Sequence, residues 1–110
     1  MSLTQKRLFG PAAAVTSPTD TAAGRYLVPA LTTTIVKQIL FCNTNAASAT
    51  VRVAIGTTAT AANRIISDIS LSANQTIAFN CSVVMVDGEK LFFTASDTTV
   101  SFTVSGVEEV

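Results

Sequence analysis

The chain has 110 residues, 48% of them hydrophobic and only 13% charged, with seven basic side chains balancing seven acidic ones and no histidine. This length fits one domain with one buried core, and the charge content is about half the ~25% usual for soluble proteins. The cations (Lys6, Arg7, Arg25, Lys37, Arg52, Arg64 and Lys90) are scattered, which argues against a nucleic-acid surface, and no run reaches the ~18–20 apolar residues of a membrane helix.

In chain order, the start places Lys6 and Arg7 before an Ala-rich run, as a secretion signal does. Gly10 and Pro11 break that run, so it is read as part of the mature chain. A leading strand is expected over 5–9. Residues 10–24, small, polar and kinked by proline, are expected to form an extended arm or long loop. The predicted division is therefore an N-terminal strand and arm over 1–24 and a β-sandwich over 25–110.

From there the signals are those of strands. Thr, Val and Ile make up about a third of the chain, and β-branched side chains favour extended backbone. Alternation with period two puts Val51, Val53 and Ile55 on one face, Ile77 and Phe79 on another, and Val100, Phe102 and Val104 on a third. Strands are predicted over 25–29, 33–42, 49–56, 64–70, 75–80, 83–87, 89–95 and 99–108. Residues 57–63 are expected to be a loop with a short helical turn. Turns are expected over 43–48, near Ala73-Asn74 and over 96–98. Asp87-Gly88 reads as the tight turn of a hairpin. Turns every 8–12 residues without helices predict an all-β, antiparallel two-sheet sandwich of about eight strands, Greek-key or jelly-roll-like, with an extended N-terminal segment.

Little in the chain can carry chemistry. Without histidine there is no Ser-His-Asp or Cys-His pair and no His-based zinc site, and no phosphate loop or dinucleotide fingerprint is present. Of the carboxylates, Asp87, Glu89 and Asp97 fall in turns, while Glu108 and Glu109 are expected to be solvated. Neither a glycosidase pair nor a calcium loop emerges from Asp20, Asp68 and the rest. No catalytic, metal-binding or cofactor-binding residue is expected. Cys42 and Cys81 are expected to be reduced, largely buried thiols, a bridge between them being the alternative.

The phenylalanines are expected to fill the core. Tyr26 is a candidate rim contact, although a strand-edge hydroxyl bonded to backbone explains it equally well. Phe92 and Phe93 point to opposite faces of one strand, so one of them lies outside the core or under a partner, unless the strand is buried on both sides. With Leu8 and Phe9 of the leading segment, these residues form the candidate interface: Leu8, Phe9, Tyr26, Phe92 and Phe93. The scarcity of charge suggests that part of the surface is covered by copies of the chain or by partners.

The segments LTQKRLFGP, YLVPALTTTIVKQILFCNTNAASATVRVAIG, ANRIISDISLSANQTI and VSFTVSGVEEV resemble a group of small β-sandwich virion proteins of tailed bacteriophages. In that group a Tyr-x-Val-Pro stretch precedes a Thr-rich strand ending in Cys-Asn-Thr or similar, and the last strand ends Val-Ser-Gly-Val-Glu. The turn VDGEK departs from the group's Ala-Gly-Asp form, so loop details are not carried over. The resemblance covers nearly the whole chain. It implies a non-enzymatic structural subunit on the tail or decorating the head, with a slight lean to the tail, assembled in the host cytoplasm and located in the virion. The expected partners are copies of itself (a trimer, for instance) and other virion proteins, met through apolar sandwich faces and an N-terminal latch. Neither nucleic acid nor membrane is expected as a partner. A receptor- or glycan-binding sandwich is the rival reading, with its loops at 43–48, 57–63 and 73–75; a small hydrolase is a weaker third.

Overall fold

A computed structural model describes residues 3–17, 19, 21 and 24–110. Eight strands are present: β1 Leu3–Ala13, β2 Arg25–Leu27, β3 Thr33–Asn43, β4 Ala49–Gly56, β5 Arg64–Leu71, β6 Thr76–Met85, β7 Lys90–Ala95 and β8 Val100–Glu109. They form two four-stranded sheets, ordered β1-β8-β3-β6 (sheet A) and β2-β7-β4-β5 (sheet B). All strand pairs are antiparallel. This is the strand order of a jelly roll, in which every successive pair of strands except β4 and β5 changes sheet. The predicted all-β sandwich is therefore the fold.

Between the sheets the strands deliver the side chains that their alternation aimed inward: Val36, Ile39 and Phe41 from β3, Val51 and Val53 from β4, Leu91 and Phe93 from β7, and Val100, Phe102 and Val104 from β8, all at most 1% exposed. Four phenylalanine rings cross the layer. Phe9 lies 4.6 Å from Phe93, Phe93 lies 5.3 Å from Phe102, and Phe102 meets Phe41 edge-on at 5.3 Å. Each such contact adds about 1 kcal/mol to the area buried.

Three expectations are corrected. First, Asp87-Gly88 does not close a hairpin. Its local chemistry is that of a turn, with Glu89 N–H donating to Val86 O at 3.0 Å and Gly88 at φ +85°. The flanking strands, however, enter different sheets. Among the described residues, the one pair of consecutive strands that are neighbours in a sheet is β4–β5, joined by the 57–63 loop with its 3-10 turn at Ala61–Asn63. Second, the strands expected at 75–80 and 83–87 are one strand, β6. Its in–out alternation runs through Asn80 to Ser82, and the polar Asn-Cys-Ser stretch marks a bulge where Cys81 and Ser82 stand opposite Lys37. Third, the leading strand extends to Ala13 and pairs with β8 of its own chain. Gly10, at φ +77°, lets this edge bend: a Cβ there would lie 2.0 Å from the Phe102 carbonyl oxygen.

The rest of the arm is fixed where it is described. Ala14 N–H donates to Val100 O at 2.7 Å, Val15 bridges Thr94, and Phe93 N–H donates to Gly24 O at 3.1 Å. This closes the β1/β2 side of the sandwich. Met1, Ser2, Pro18, Asp20, Ala22 and Ala23 lie outside the described residues.

Candidate functional site: an apolar rim

The candidate interface residues are covered by the chain itself. Tyr26, Phe92 and Phe93 are buried, and Leu8 and Phe9 are half-buried against the core. Phe92 is the outward residue of its pair, but β7 is buried on both faces, and Thr16 of the arm with Ala59 and Thr60 of the 57–63 loop line the same cavity as Phe92. Tyr26 is not a rim contact either. It stands on β2 in sheet B, and its hydroxyl crosses to sheet A, where it meets Thr34 Oγ1 at 2.8 Å and donates to Glu108 Oε2.

Glu108 is likewise not solvated. The inward parity of β8 (Val100, Phe102, Val104, Gly106) continues to residue 108 and carries the carboxylate inside. Its other oxygen accepts from Lys6 Nζ at 3.1 Å. Burial works to raise the Glu108 carboxyl, but the Tyr26 hydroxyl and the Lys6 ammonium outweigh it and hold the group below its ordinary value. Burial first, then the bond to Glu108, pushes the Tyr26 hydroxyl well above the usual tyrosine range. A buried carboxylate is tolerated because it is fully partnered. The cluster ties β1, β2, β3 and β8 together beneath one end of the sandwich.

That end holds the 28–32, 57–63 and 86–89 connections. It also carries the exposed large apolar side chains of the described residues: Leu3, Leu27, Leu31, Ile65, Val84, Val86 and Val110. Val84 has Ile35 as its outward neighbour on β3, and Ile35 in turn faces Val107 on β8. Leu31 is 85% exposed and has φ +58°, a left-handed conformation that costs a leucine roughly 1–2 kcal/mol. Two carboxylates hold the loops in place. Asp87 Oδ2 accepts from Leu31 N–H at 2.8 Å, and Glu89 Oε1 accepts from Val86 N–H at 2.8 Å. Sequence reasoning assigned these acids to turn chemistry. It missed Leu31, because a leucine after Pro-Ala carries no signal of a positive φ.

The opposite end is polar and knit. Asn43, fully buried, donates from Nδ2 to Ala47 O at 2.9 Å and Ser72 O at 3.2 Å, and accepts from Asn45 N–H at 3.0 Å. Asn45 Nδ2 donates to Asp97 Oδ2 at 3.1 Å, and Thr44 N–H donates to Thr99 O at 3.1 Å. Three connections are thereby fastened to one another.

The outer faces are less apolar than expected. Sheet A shows Ser101, Thr103 and Ser105 from β8 and Thr76, Ala78, Asn80 and Ser82 from β6. On sheet B a groove of about 190 Å³ is lined by Thr16, Thr50, Arg52, Thr94 and Ser96. It continues toward Arg64. Arg52 Nε donates to Asp68 at 2.5 Å, a bond that holds the exposed Asp68 carboxyl below its ordinary value. Cys42 and Cys81 are free and half-buried, on opposite faces of sheet A. Among the described residues no three His, Cys, Asp or Glu side chains converge as metal ligands, and no helix is long and apolar enough to cross a membrane. Comparison with family models, with curated proteins and with solved structures finds no match to this chain.

Proposed function

We propose that the chain is a non-enzymatic structural subunit of a tailed-phage virion, on the tail or decorating the head, and that it seats against its neighbours in the particle through the apolar rim. The observation that carries the reading is Leu31, exposed to 85% in a left-handed conformation and held out by Asp87. The Asp87 bond fixes the backbone of this loop, but the leucine side chain itself packs against nothing in the chain, as suits a tip that a partner receives. The sequence resemblance and the jelly-roll order support the same reading, and many modest contacts of repeated copies give avidity. Because β1 pairs with β8 and contributes Phe9 to the core, the leading segment in this reading meets its neighbours as an edge strand of its own sandwich.

The test is incorporation. In purified particles of the phage encoding the chain, mass spectrometry should find the wild-type protein. A folded Leu31→Ser/Val84→Ser/Val86→Ser variant should remain in the supernatant. Absence of the wild-type chain from the particles would overturn the proposal.

The groove on sheet B favours a second reading, glycan binding, because hydroxyls and two guanidinium groups line it. A glycan array showing saturable binding that Arg52→Ala and Arg64→Ala abolish would support it.

A further inference from the structure

A sandwich of two open sheets has four edge strands, here β1, β6, β2 and β5. Each presents unpaired backbone N–H and C=O groups, and edges are ordinarily blunted by charge, proline, bulges or brevity. Three of the four are blunted. β1 carries Lys6, Arg7, Pro11 and two register shifts. β2 has three residues. β5 carries Arg64 and Asp68, the latter at φ +55°, and two register shifts.

β6 is different. Its ten residues, TIAFNCSVVM, contain no charge, proline or glycine. Its one bulge, at Cys81 and Ser82, leaves Thr76–Asn80 as a regular stretch paired with β3 residue by residue. The interior beside it is incompletely covered. Ile77, Phe79, Cys81 and Val83 of β6 and Ile69 of β5 pack against the core and are partly buried, as Leu8 and Phe9 are on the β1 side. The β1/β2 side of the molecule is closed by the arm and the Tyr26–Glu108–Lys6 cluster; the β5/β6 side has no such cover among the described residues.

We propose that β6 pairs antiparallel with β6 of a second copy of this chain, about a twofold axis at Ala78, joining the two A sheets into one continuous sheet. The occupant follows from self-complementarity. An isologous pair sets residue i against j and j against i. Centred on Ala78, it sets Ile77 of each copy beside Phe79 of the other on the inner layer, covering what remains exposed of these partly buried side chains. It sets Thr76 beside Asn80 on the outer face. No charge meets its own kind, whereas the same operation on β1 would bring its two adjacent cations toward their copies. The small Ala78 side chain at the axis permits close approach. Main-chain hydrogen bonds along one short strand supply the affinity, as in other strand additions. The dimer is therefore concentration-dependent. This inference stands on the edge alone and does not rest on the virion reading.

Light scattering of the purified full-length protein from about 10 µM to about 1 mM, with hydrogen exchange of residues 76–80, tests the pairing. The mass should rise from one chain toward two, and the β6 amides should gain protection as it does. Ala78→Lys and Ala78→Asp place like charges across the axis and should each raise the dissociation constant about fivefold. An equimolar mixture of the two should restore the dimer, which also shows that both variants fold. A wild-type mass of one chain throughout, larger aggregates without a dimer, or dimerisation unaffected by both substitutions would overturn the proposal.

Discussion

The two ends of the sandwich are built on opposite principles. At the polar end, connections interlock through Asn43, Asn45 and Asp97, and Asn43 is fully buried. At the apolar end, side-chain carboxylates grip single backbone N–H groups, and large apolar side chains are left in solvent. The first arrangement spends its polar groups on the chain's own stability. The second holds a surface in a fixed shape without covering it. An end that satisfies itself has nothing to offer a partner; an end that remains apolar after folding gains by being covered.

Breaking the polar end should have the largest effect. Asn43→Ala leaves two carbonyls and one N–H without their partner and should destabilise the fold by about 3 kcal/mol, read as a lower urea midpoint at unchanged m-value. Below the apolar end, Tyr26→Phe removes a donor from a buried carboxylate and should cost about 2 kcal/mol.

The same cluster predicts a pH dependence with a defined sign. Glu108 titrates below its ordinary value when folded, so its contribution is complete above the ordinary carboxylate range. It is lost as pH falls below that range through the folded value. Tyr26 is raised, so its contribution is complete below the ordinary tyrosine value and is lost as pH rises past it. Glu108→Gln should flatten the acid limb and Tyr26→Phe the alkaline limb of denaturation midpoint against pH. Because the chain has one tyrosine and no tryptophan, tyrosinate absorbance reads this group alone. It should appear well above pH ~10 in the folded protein and near ~10 in urea.

The comparison is sharpened by a substitution that stabilises. Leu31→Gly removes the left-handed penalty and should raise stability by about 1 kcal/mol while reducing incorporation into particles. The smallest effect belongs to Val84→Ser, exposed on β6, which should change the unfolding free energy by no more than about 0.5 kcal/mol and yet weaken any contact made through the rim.

Local physics was enough for the strands and for their inner faces. Alternation along Val51, Val53 and Ile55 and along Val100, Phe102 and Val104 made strands and chose their inner faces. Asp87-Gly88 made a turn, and the absence of histidine removed whole classes of chemistry. Even Glu108 was legible in principle, since it continues the inward parity of β8. The tertiary structure alone decided which strands pair. A turn is the same four residues whether its strands pair with each other or enter different sheets, so a hairpin signal at Asp87-Gly88 could not reveal a crossover. Tertiary structure also decided that Tyr26 reaches Glu108 from the opposite sheet, that Phe92 is buried although it points out of the core, and that β6 remains an open edge. These facts depend on contacts between residues far apart in the chain, where period and propensity carry no information. The positive φ of Leu31 is of the same kind, because the Asp87 carboxylate that holds its N–H lies 56 residues away.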